Sequence, residues 1–129
     1  MTEVVLDASA LLALLKAETC SSKVADVLAA SRISAVNYAE VVSYFIHLGM
    51  PPPEVDAMLR PLPTKIIDVS ADLATAAGRL RAFTSEAGLS LGDRFCLALA
   101  LRDGLPAWTA DRQWRTISEA IGAKVVIIR

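Results

Sequence analysis

The stretch VVLDASALLA, residues 4–13, decides the fold, because a short β-branched run passes directly into an apolar helical pattern. Residues 4–6 have the length and composition of one buried strand, and residues 8–15 have those of a helix. Asp7 stands between the two elements. A strand followed at once by a helix is the repeating unit of α/β domains with a parallel sheet.

The same alternation continues along the chain. Strands are predicted at residues 4–6, 32–34, 65–69, 105–109 and 124–128. Helices are predicted at residues 8–15, 22–30, 36–48, 53–59, 71–86, 93–102 and 112–120. About five short strands separated by helices indicate a mostly parallel central sheet with helices on both faces. The helices that contain Glu40 and Asp93 are apolar on nearly every face, so we expect both to be buried between layers.

Length and composition limit the class of protein. The 129 residues fit a single domain, residues 1–129, with one substantial core. Hydrophobic residues make up 54% of the chain, yet no apolar stretch reaches the roughly 18 residues that span a bilayer. The first residues lack the pattern of an export signal, so we expect a cytoplasmic protein without membrane association. Cys20 and Cys96 lack zinc-site spacing, and we expect both to be reduced.

The charge balance excludes a globally basic surface. Thirteen Lys and Arg against fourteen Asp and Glu give a formal net charge of −1, so any nucleic acid must be held by local contacts. Candidate phosphate contacts are Arg79, Arg81, Arg94, Arg112 and Arg115. Each of them could instead belong to a solvated helix face or an ion pair.

Four acidic residues interrupt or end apolar segments. Asp7 and Asp111 follow predicted strands, Glu40 is the only charge in residues 36–46, and Asp93 precedes an apolar run. A buried carboxylate is costly unless it is paired or binds a metal. Because ligands of open α/β sheets bind beyond the carboxyl ends of the strands, Asp7 and Asp111 should share one rim. Four converging acids would suit a hard divalent cation, and their repulsion should raise the pKa of at least one.

Each acid also has an ordinary structural alternative. Asp7 and Asp111 could be N-caps of the helices that follow them. Asp93 could form a capping box with Ser90. Glu40 lies in mid-helix, where it caps nothing, so it needs either a buried arginine or a metal. Of the four acids, Glu40 is therefore the one whose position most strongly indicates a functional role.

Three polar residues could support these acids. Ser9 and Thr109 each lie two residues from a candidate aspartate and could orient it through a hydroxyl hydrogen bond. Asn37 precedes Glu40 by one turn and could orient that carboxylate. Each could instead stabilise only the end of its own helix or strand.

The sequence lacks the residues that several other catalytic mechanisms require. His47 is the only histidine, and it lies near a predicted helix C-terminus where a cation is favoured. His47 is therefore poorly placed to act as the base of a Ser-His-Asp or Cys-His mechanism. The sequence also has no GxxxxGK[ST] or GxGxxG loop, which removes the signatures of P-loop hydrolysis and dinucleotide binding.

The acids lie in four segments with short motifs: D-x-S, a helix Glu, G-D-R and T-x-D. In order these are VVLDASALLA (residues 4–13), ISAVNYAEV (33–41), LSLGDRFCLALA (89–100) and LPAWTAD (105–111). Together they resemble the PIN domain family, specifically the VapC-like toxins of toxin–antitoxin pairs. The resemblance spans nearly the whole chain and implies a PIN-like three-layer α/β/α sandwich.

The resemblance also implies a function. Members of this kind are Mg²⁺- or Mn²⁺-dependent endoribonucleases, the toxin components of type II toxin–antitoxin systems. The ion would neutralise charge on the phosphate and lower the pKa of a water. The implied partners are an RNA substrate, a cognate antitoxin protein and a second copy of the chain in a homodimer. The implied metal and catalytic site is Asp7, Glu40, Asp93 and Asp111, with Ser9 and Thr109 as supporting hydroxyls.

Two other functions are compatible with the same residues. One is a metal-dependent nuclease or phosphatase that acts on another substrate. The other is a catalytically inactive binding module, in which the acids serve only as caps and core ion pairs. Binding of a divalent ion separates the second alternative from the others, because capping carboxylates need no metal.

Overall fold

A five-stranded sheet forms the centre of the chain, as described for residues 2–85 and 88–129 in a computed structural model. Its strands are β1 Val4–Leu6, β2 Ser31–Ser34, β3 Lys65–Ile67, β4 Ala107–Thr109 and β5 Val125–Ile127. Their order is β3-β2-β1-β4-β5, and every neighbouring pair is parallel. The predicted fold class is confirmed. The chain builds the sheet from β1 to one side and then to the other.

Helices connect the strands. They are α1 Ala8–Leu15, α2 Ser21–Val27, α3 Ala35–His47, α4 Pro52–Leu59, α5 Ala71–Arg79, α6 Arg81–Thr84, α7 Leu91–Asp103 and α8 Ser118–Ile121. Two 3₁₀ helices, Leu28–Ala30 and Arg112–Thr116, complete the set. In the described ranges no helix has both the length and the apolar character needed to cross a membrane.

Two predicted helices are interrupted. The helix predicted at residues 112–120 is wrong as a single element, since a 3₁₀ helix and α8 meet there at Ile117. Trp114 and Ile117 are both buried, and their spacing of three suits a 3₁₀ turn better than an α-helix. The helix predicted at residues 71–86 is divided into α5 and α6, and Glu86 lies outside the described residues.

Side chains of β1 alternate between two apolar cores. Val4 and Leu6 pack with the α1 to α4 side of the sheet, whereas Val5 packs with α5, α7 and Trp114 on the other side. All three β1 side chains are fully buried. The sheet is therefore covered on both faces, as the three-layer prediction requires.

The two apolar helices that carry Glu40 and Asp93 differ in burial. Helix α7 is buried at eight of its 13 residues, which confirms the expectation for it. Helix α3 buries only Asn37, Val41 and Phe45, so the expectation that it is enclosed is wrong. One face of α3 lies at the surface, with Ala39, Glu40, Ser43, Ile46 and His47 exposed.

Candidate active site

All four candidate acids lie around one cleft at the carboxyl edge of the sheet. Asp7 follows β1 directly, Asp111 lies two residues after β4, and these two strands are neighbours. The connections from β1 and β4 lead to opposite sides of the sheet, which leaves this edge open. Helices α3 and α7 bring Glu40 and Asp93 to the same place. The cleft measures about 280 Å³ and is lined by Asp7, Ala8, Ser9, Leu12, Glu40, Tyr44, Asp93 and Asp111.

Asp7 is the most deeply buried of the acids, with only 3% of its surface exposed. Its Oδ1 accepts hydrogen bonds from the Ala10 N–H (2.8 Å) and the Ser9 hydroxyl (2.7 Å). Its Oδ2 accepts one from the Thr109 hydroxyl (2.5 Å). Burial raises the pKa of Asp7 to about 6, although these bonds oppose the rise, and the nearby Asp93 carboxylate adds to it. Asp7 thus caps α1 and also lines the cleft.

Ser9 and Thr109 join the two strand ends. The Ala110 N–H donates to Ser9 Oγ (2.9 Å), and the Asp111 N–H donates to Thr109 Oγ1 (3.0 Å). The two hydroxyl oxygens lie 3.3 Å apart. Both residues therefore orient Asp7 and hold the loop after β4, so the two roles considered from sequence occur together.

Glu40 is held by Asn37 at the open side of the cleft. The Asn37 amide donates to Glu40 Oε1 (2.8 Å) and to the Gly92 carbonyl (3.0 Å). Asn37 is itself fixed by Ser34, which caps α3 by accepting from the Asn37 N–H (3.1 Å). Partial burial raises the pKa of Glu40, the Asn37 bond opposes this, and the charge of Asp93 adds to it.

Two expectations for Glu40 are corrected by its surroundings. Its side chain is exposed to solvent, so the prediction that it is shielded from water is wrong. Among residues 2–85 and 88–129 it makes no ion pair with a lysine or arginine, so the buried-arginine alternative finds no support there. An exposed carboxylate needs no buried counter-ion, so the position of Glu40 on the exposed face of α3 accounts for both.

Asp93 forms the predicted capping box and lines the cleft at the same time. The Ser90 N–H donates to Asp93 Oδ2 (2.9 Å), and the Asp93 N–H donates to Ser90 Oγ (3.2 Å). Burial raises the pKa of Asp93, the Ser90 bonds oppose this, and the neighbouring Asp111 charge adds to it. Asp111 in turn caps the 3₁₀ helix by accepting from the Gln113 N–H at Oδ1 (2.9 Å). Each bond uses one carboxylate oxygen, so capping and a role in the cleft are compatible.

Gly92 is a site residue that sequence reasoning missed. A Cβ at this position would lie 2.7 Å from Cδ and Oε2 of Glu40, well inside van der Waals contact. The missing side chain lets the Glu40 carboxylate pack against the start of α7. The G-D-R motif contained the signal, but which helix approaches Gly92 could not be read from it.

Cys96 lies beneath the acids. It is fully buried and has a free thiol, as predicted. Burial raises the pKa of this thiol well above its usual range, and the charges of Asp7, Asp93 and Glu40 raise it further. The negative field of the cleft therefore extends into the core.

The donor set of the cleft fits a hard divalent cation. Three carboxylates there, those of Asp7, Glu40 and Asp93, have raised pKa values. The buried Arg94 guanidinium donates its hydrogen bonds elsewhere, to Thr84 Oγ1 and the Leu89 carbonyl, both at 2.9 Å. In the described part of the chain, no three Asp, Glu, His or Cys side chains are close enough to hold one ion together. Mg²⁺ commonly binds through one or two carboxylates and keeps several waters, which these separated acids allow.

A family model for the PIN domain matches residues 4–120, which include all four acids. The chain belongs to the PIN domain family. This confirms the resemblance inferred from the four motifs. Among curated proteins, none matches the chain at a significant level.

Solved toxin structures share the architecture of this PIN domain. A toxin–antitoxin complex from Klebsiella pneumoniae has a TM-score of 0.73 at 21% identity, with 98% of each chain covered. DNA-bound VapBC from Salmonella typhimurium has a TM-score of 0.75 at 17% identity, with 100% of each chain covered. VapC20 from Mycobacterium tuberculosis, a Sarcin-Ricin loop cleaving toxin, has a TM-score of 0.71 at 17% identity, covering 88% of this chain and 94% of that one. At these identities the likeness establishes the fold.

Proposed function

We propose that this PIN domain is a divalent-metal-dependent endoribonuclease and the toxin of a type II toxin–antitoxin pair. The observation that carries the proposal is the convergence of Asp7, Glu40, Asp93 and Asp111 on one cleft. Carboxylates gathered without a paired cation lower the stability of a fold, and they persist where function uses them. Family membership and the toxin-like architecture support the same assignment.

The residues have distinct proposed roles. Asp7, Asp93 and Asp111 would hold Mg²⁺ or Mn²⁺ directly or through water, and Glu40 is either a further ligand or the group that orients the attacking water. The bound ion supplies charge neutralisation at the scissile phosphate and activation of water. Because desolvation and the charge of Asp93 raise its pKa, and because its side chain is exposed to solvent at the cleft, Glu40 is suited to act as a proton acceptor.

The hydrogen-bonded neighbours keep these carboxylates in place. Ser9 and Thr109 bond Asp7 from two sides, and Asn37 bonds Glu40 at one oxygen. None of the three needs to touch the substrate to matter, because a small displacement of a reacting group is costly. We propose that Ser9, Asn37 and Thr109 are positioning residues.

The partners follow from the same proposal. The solved toxins from Klebsiella pneumoniae and Salmonella typhimurium are parts of toxin–antitoxin complexes, and we propose a cognate antitoxin protein that blocks the acidic cleft here. A homodimer is proposed as well, and the exposed apolar side chains Ile46 and Leu48 at the end of α3 support an interface on this chain. We propose that the substrate is cellular RNA and that the activity is cytoplasmic.

Cleavage of RNA by the purified protein tests the enzymatic proposal. A labelled RNA panel should be cleaved with Mg²⁺ or Mn²⁺, should be inert in EDTA, and should be cleaved again after Mn²⁺ is restored. Cleavage that persists in chelator would contradict the metal-dependent mechanism. Single- and double-stranded DNA and a phosphomonoester belong in the same panel, since turnover of these with intact RNA would favour the alternative nuclease or phosphatase. Calorimetry with Mn²⁺ identifies an inactive binding module, which should bind no ion.

Growth of a bacterial host that expresses this chain tests the proposed antitoxin partner. Expression of this chain alone should arrest growth, because uncontrolled RNA cleavage stops translation. Co-expression of the neighbouring open reading frame should restore growth, and its product should co-purify with this chain. If that product neither rescues growth nor co-purifies, the antitoxin assignment is wrong.

A further inference from the structure

A basic pocket lies beside the acidic cleft. It measures about 390 Å³ and is lined by Thr19, Cys20, Lys23, Arg112, Ile128 and Arg129. Three of these six residues carry positive charge, and no acid is among them. Lys23 comes from α2, Arg112 begins the 3₁₀ helix after β4, and Arg129 follows β5. Three separate parts of the chain thus bring cations to one concave place.

The basic pocket and the acidic cleft share the carboxyl edge of the sheet. Arg112 lines the pocket and is the residue after Asp111, which lines the cleft. The Ile128 N–H donates to the Thr109 carbonyl (2.9 Å), and the Thr109 hydroxyl donates to Asp7. The pocket therefore lies on the β5 side of the cleft.

The pocket retains positive charge after its internal pairing. Arg129 is engaged by Glu18 at 2.7 Å, and Glu18 also contacts Lys16 at 3.4 Å. Within residues 2–85 and 88–129, Lys23 and Arg112 make no ion pair. Their charges, together with the Thr19 hydroxyl, suit the oxygens of a phosphate group.

We propose that the basic pocket binds a backbone phosphate of the RNA, next to the phosphodiester that the acidic cleft hydrolyses. This inference rests on the proposed function. The acids of the cleft repel a polyanion, and a net charge of −1 provides no general attraction. A cationic contact immediately beside the cleft offsets that repulsion where the strand passes. An acidic protein segment has the same charge, but continuity with the hydrolytic cleft favours the nucleic acid.

Steady-state cleavage of a single-stranded RNA with Mn²⁺ tests the pocket. Lys23→Gln/Arg112→Gln should raise KM roughly tenfold with little change in kcat, since it removes binding away from the reacting atoms. The slope of log(kcat/KM) against log salt should become less negative by about 0.7 for each phosphate that the variant no longer binds. The matched control is Lys65→Gln/Lys124→Gln, which removes two lysines at the amino ends of β3 and β5. This control should leave KM and the salt slope unchanged.

A gain-of-function variant guards against simple loss of folding. Glu18→Gln releases Arg129 and removes a negative charge beside the pocket, so KM should fall by roughly twofold and the salt slope should steepen. Damage to the fold could not produce tighter binding. An unchanged or increased KM in this variant would contradict the phosphate assignment.

The remaining outcomes distinguish failure of the phosphate-pocket proposal from failure of the ribonuclease proposal. Wild-type cleavage together with an unaltered KM in Lys23→Gln/Arg112→Gln would overturn the pocket and leave the ribonuclease proposal standing. Failure of the wild type to cleave any RNA would overturn both. If inorganic phosphate binds the wild type but not the double variant while the RNA KM is the same in both, the pocket binds free phosphate and the RNA assignment is wrong. If instead the double variant fails only to bind the antitoxin, the occupant is an acidic protein segment, and the RNA assignment is again wrong.

Discussion

Acidic residues at the two edges of the sheet have opposite surroundings. At the amino edge, Arg32 pairs with Glu3 (2.7 Å) and Asp103 (2.9 Å), and Arg102 pairs with Asp103 (2.8 Å). The bonds from Arg102 and Arg32 lower the pKa of Asp103 despite its partial burial. At the carboxyl edge, burial raises the pKa of Asp7 to about 6. The same side chain is thus stabilised in its charged form at one edge and disfavoured at the other.

This difference separates acids that the fold neutralises from acids that it leaves available for the proposed function. A carboxylate that serves only the fold can be neutralised by a neighbouring cation, as Asp103 is by Arg102 and Arg32. The cleft instead has hydroxyl and amide donors around Asp7 and Glu40, which orient a carboxylate without neutralising it. The negative charge that these donors leave unneutralised is suited to a bound cation.

The largest expected effect is on catalysis. Asp7→Asn removes a charge from the cleft but preserves its shape, so RNA cleavage should fall by at least roughly 10³-fold. Asp103→Asn, the matched substitution at the amino edge, should retain wild-type cleavage. Rates with a labelled RNA, together with circular dichroism to verify the fold, provide the measurement. Equal activity in Asp7→Asn and the wild type would show that Asp7 is only a helix cap.

The second expected effect is on stability without metal. The pKa of Asp7 is raised, so its protonated form stabilises the fold at pH values below about 3.8, and this contribution is lost as pH rises through about 6. The shift corresponds to about 2–3 kcal/mol. In EDTA, Asp7→Asn should therefore gain stability relative to the wild type by about that amount between pH 4 and pH 7.

Urea unfolding at a series of pH values measures this relative stability. Added Mn²⁺ should stabilise the wild type more than the variant, because an ion that binds only the native state stabilises it by mass action. A constant difference between the two proteins from pH 4 to pH 7 would contradict the raised pKa of Asp7.

A smaller effect is expected at the contact between α3 and α7. In Gly92→Ala the new Cβ overlaps the Glu40 carboxylate, and the flexible Glu40 side chain should move away. Cleavage should fall by roughly tenfold while stability changes little, because the displaced group is the end of a flexible chain. Gly78→Ala is the control, since a Cβ there meets nothing within 4 Å and should slightly stabilise α5.

A double-mutant cycle sharpens this comparison. In a Glu40→Ala background, Gly92→Ala should cause no additional loss of cleavage, because the side chain that it displaces is already absent. Independent, multiplicative losses would show that Gly92 acts through something other than Glu40.

The smallest effect is expected at the amino edge. Arg32→Gln removes the arginine that pairs with Glu3 and one of the two that pair with Asp103. It should destabilise the fold by about 1 kcal/mol at pH 7, a modest value because the pairs are partly exposed. Since the folded pKa of Asp103 is lowered, this stability is present above its unfolded value and is lost as pH falls through the folded one. The contribution of Asp103 to stability therefore increases with pH, whereas that of Asp7 decreases with pH. Thermal melts at pH 7 and pH 3 measure it, and cleavage should be unaffected.

The parts of the molecule that depend on local sequence could be predicted well. The bounds of β1 and α1 agree with those predicted, because a β-branched run, a capping aspartate and an apolar helix specify them locally. Asp7 and Asp111 could be placed on one rim because parallel strands end at the same edge.

Contacts between distant elements could not be predicted in the same way. The packing of Glu40 on Gly92 depends on how closely α3 approaches α7, and the sequence of neither helix contains that distance. The exposure of the outer face of α3 has the same origin, since apolar composition does not show whether another layer covers a face. The break at Ile117 lies beside the fully buried Trp114, and helix propensity alone does not reveal that burial.

The hydrogen bond between Thr109 and Asp7 joins residues that are 102 positions apart. During synthesis, β1 leaves the ribosome before β4, and Asp7 has no hydroxyl partner from β4 until that strand has emerged. Contacts of such long sequence separation form late in folding because of the loop that they must close. The acidic cleft is therefore assembled only after β4 and the loop that follows it have been translated, and a shorter nascent chain carries Asp7, Glu40 and Asp93 without the arrangement that would make them a site.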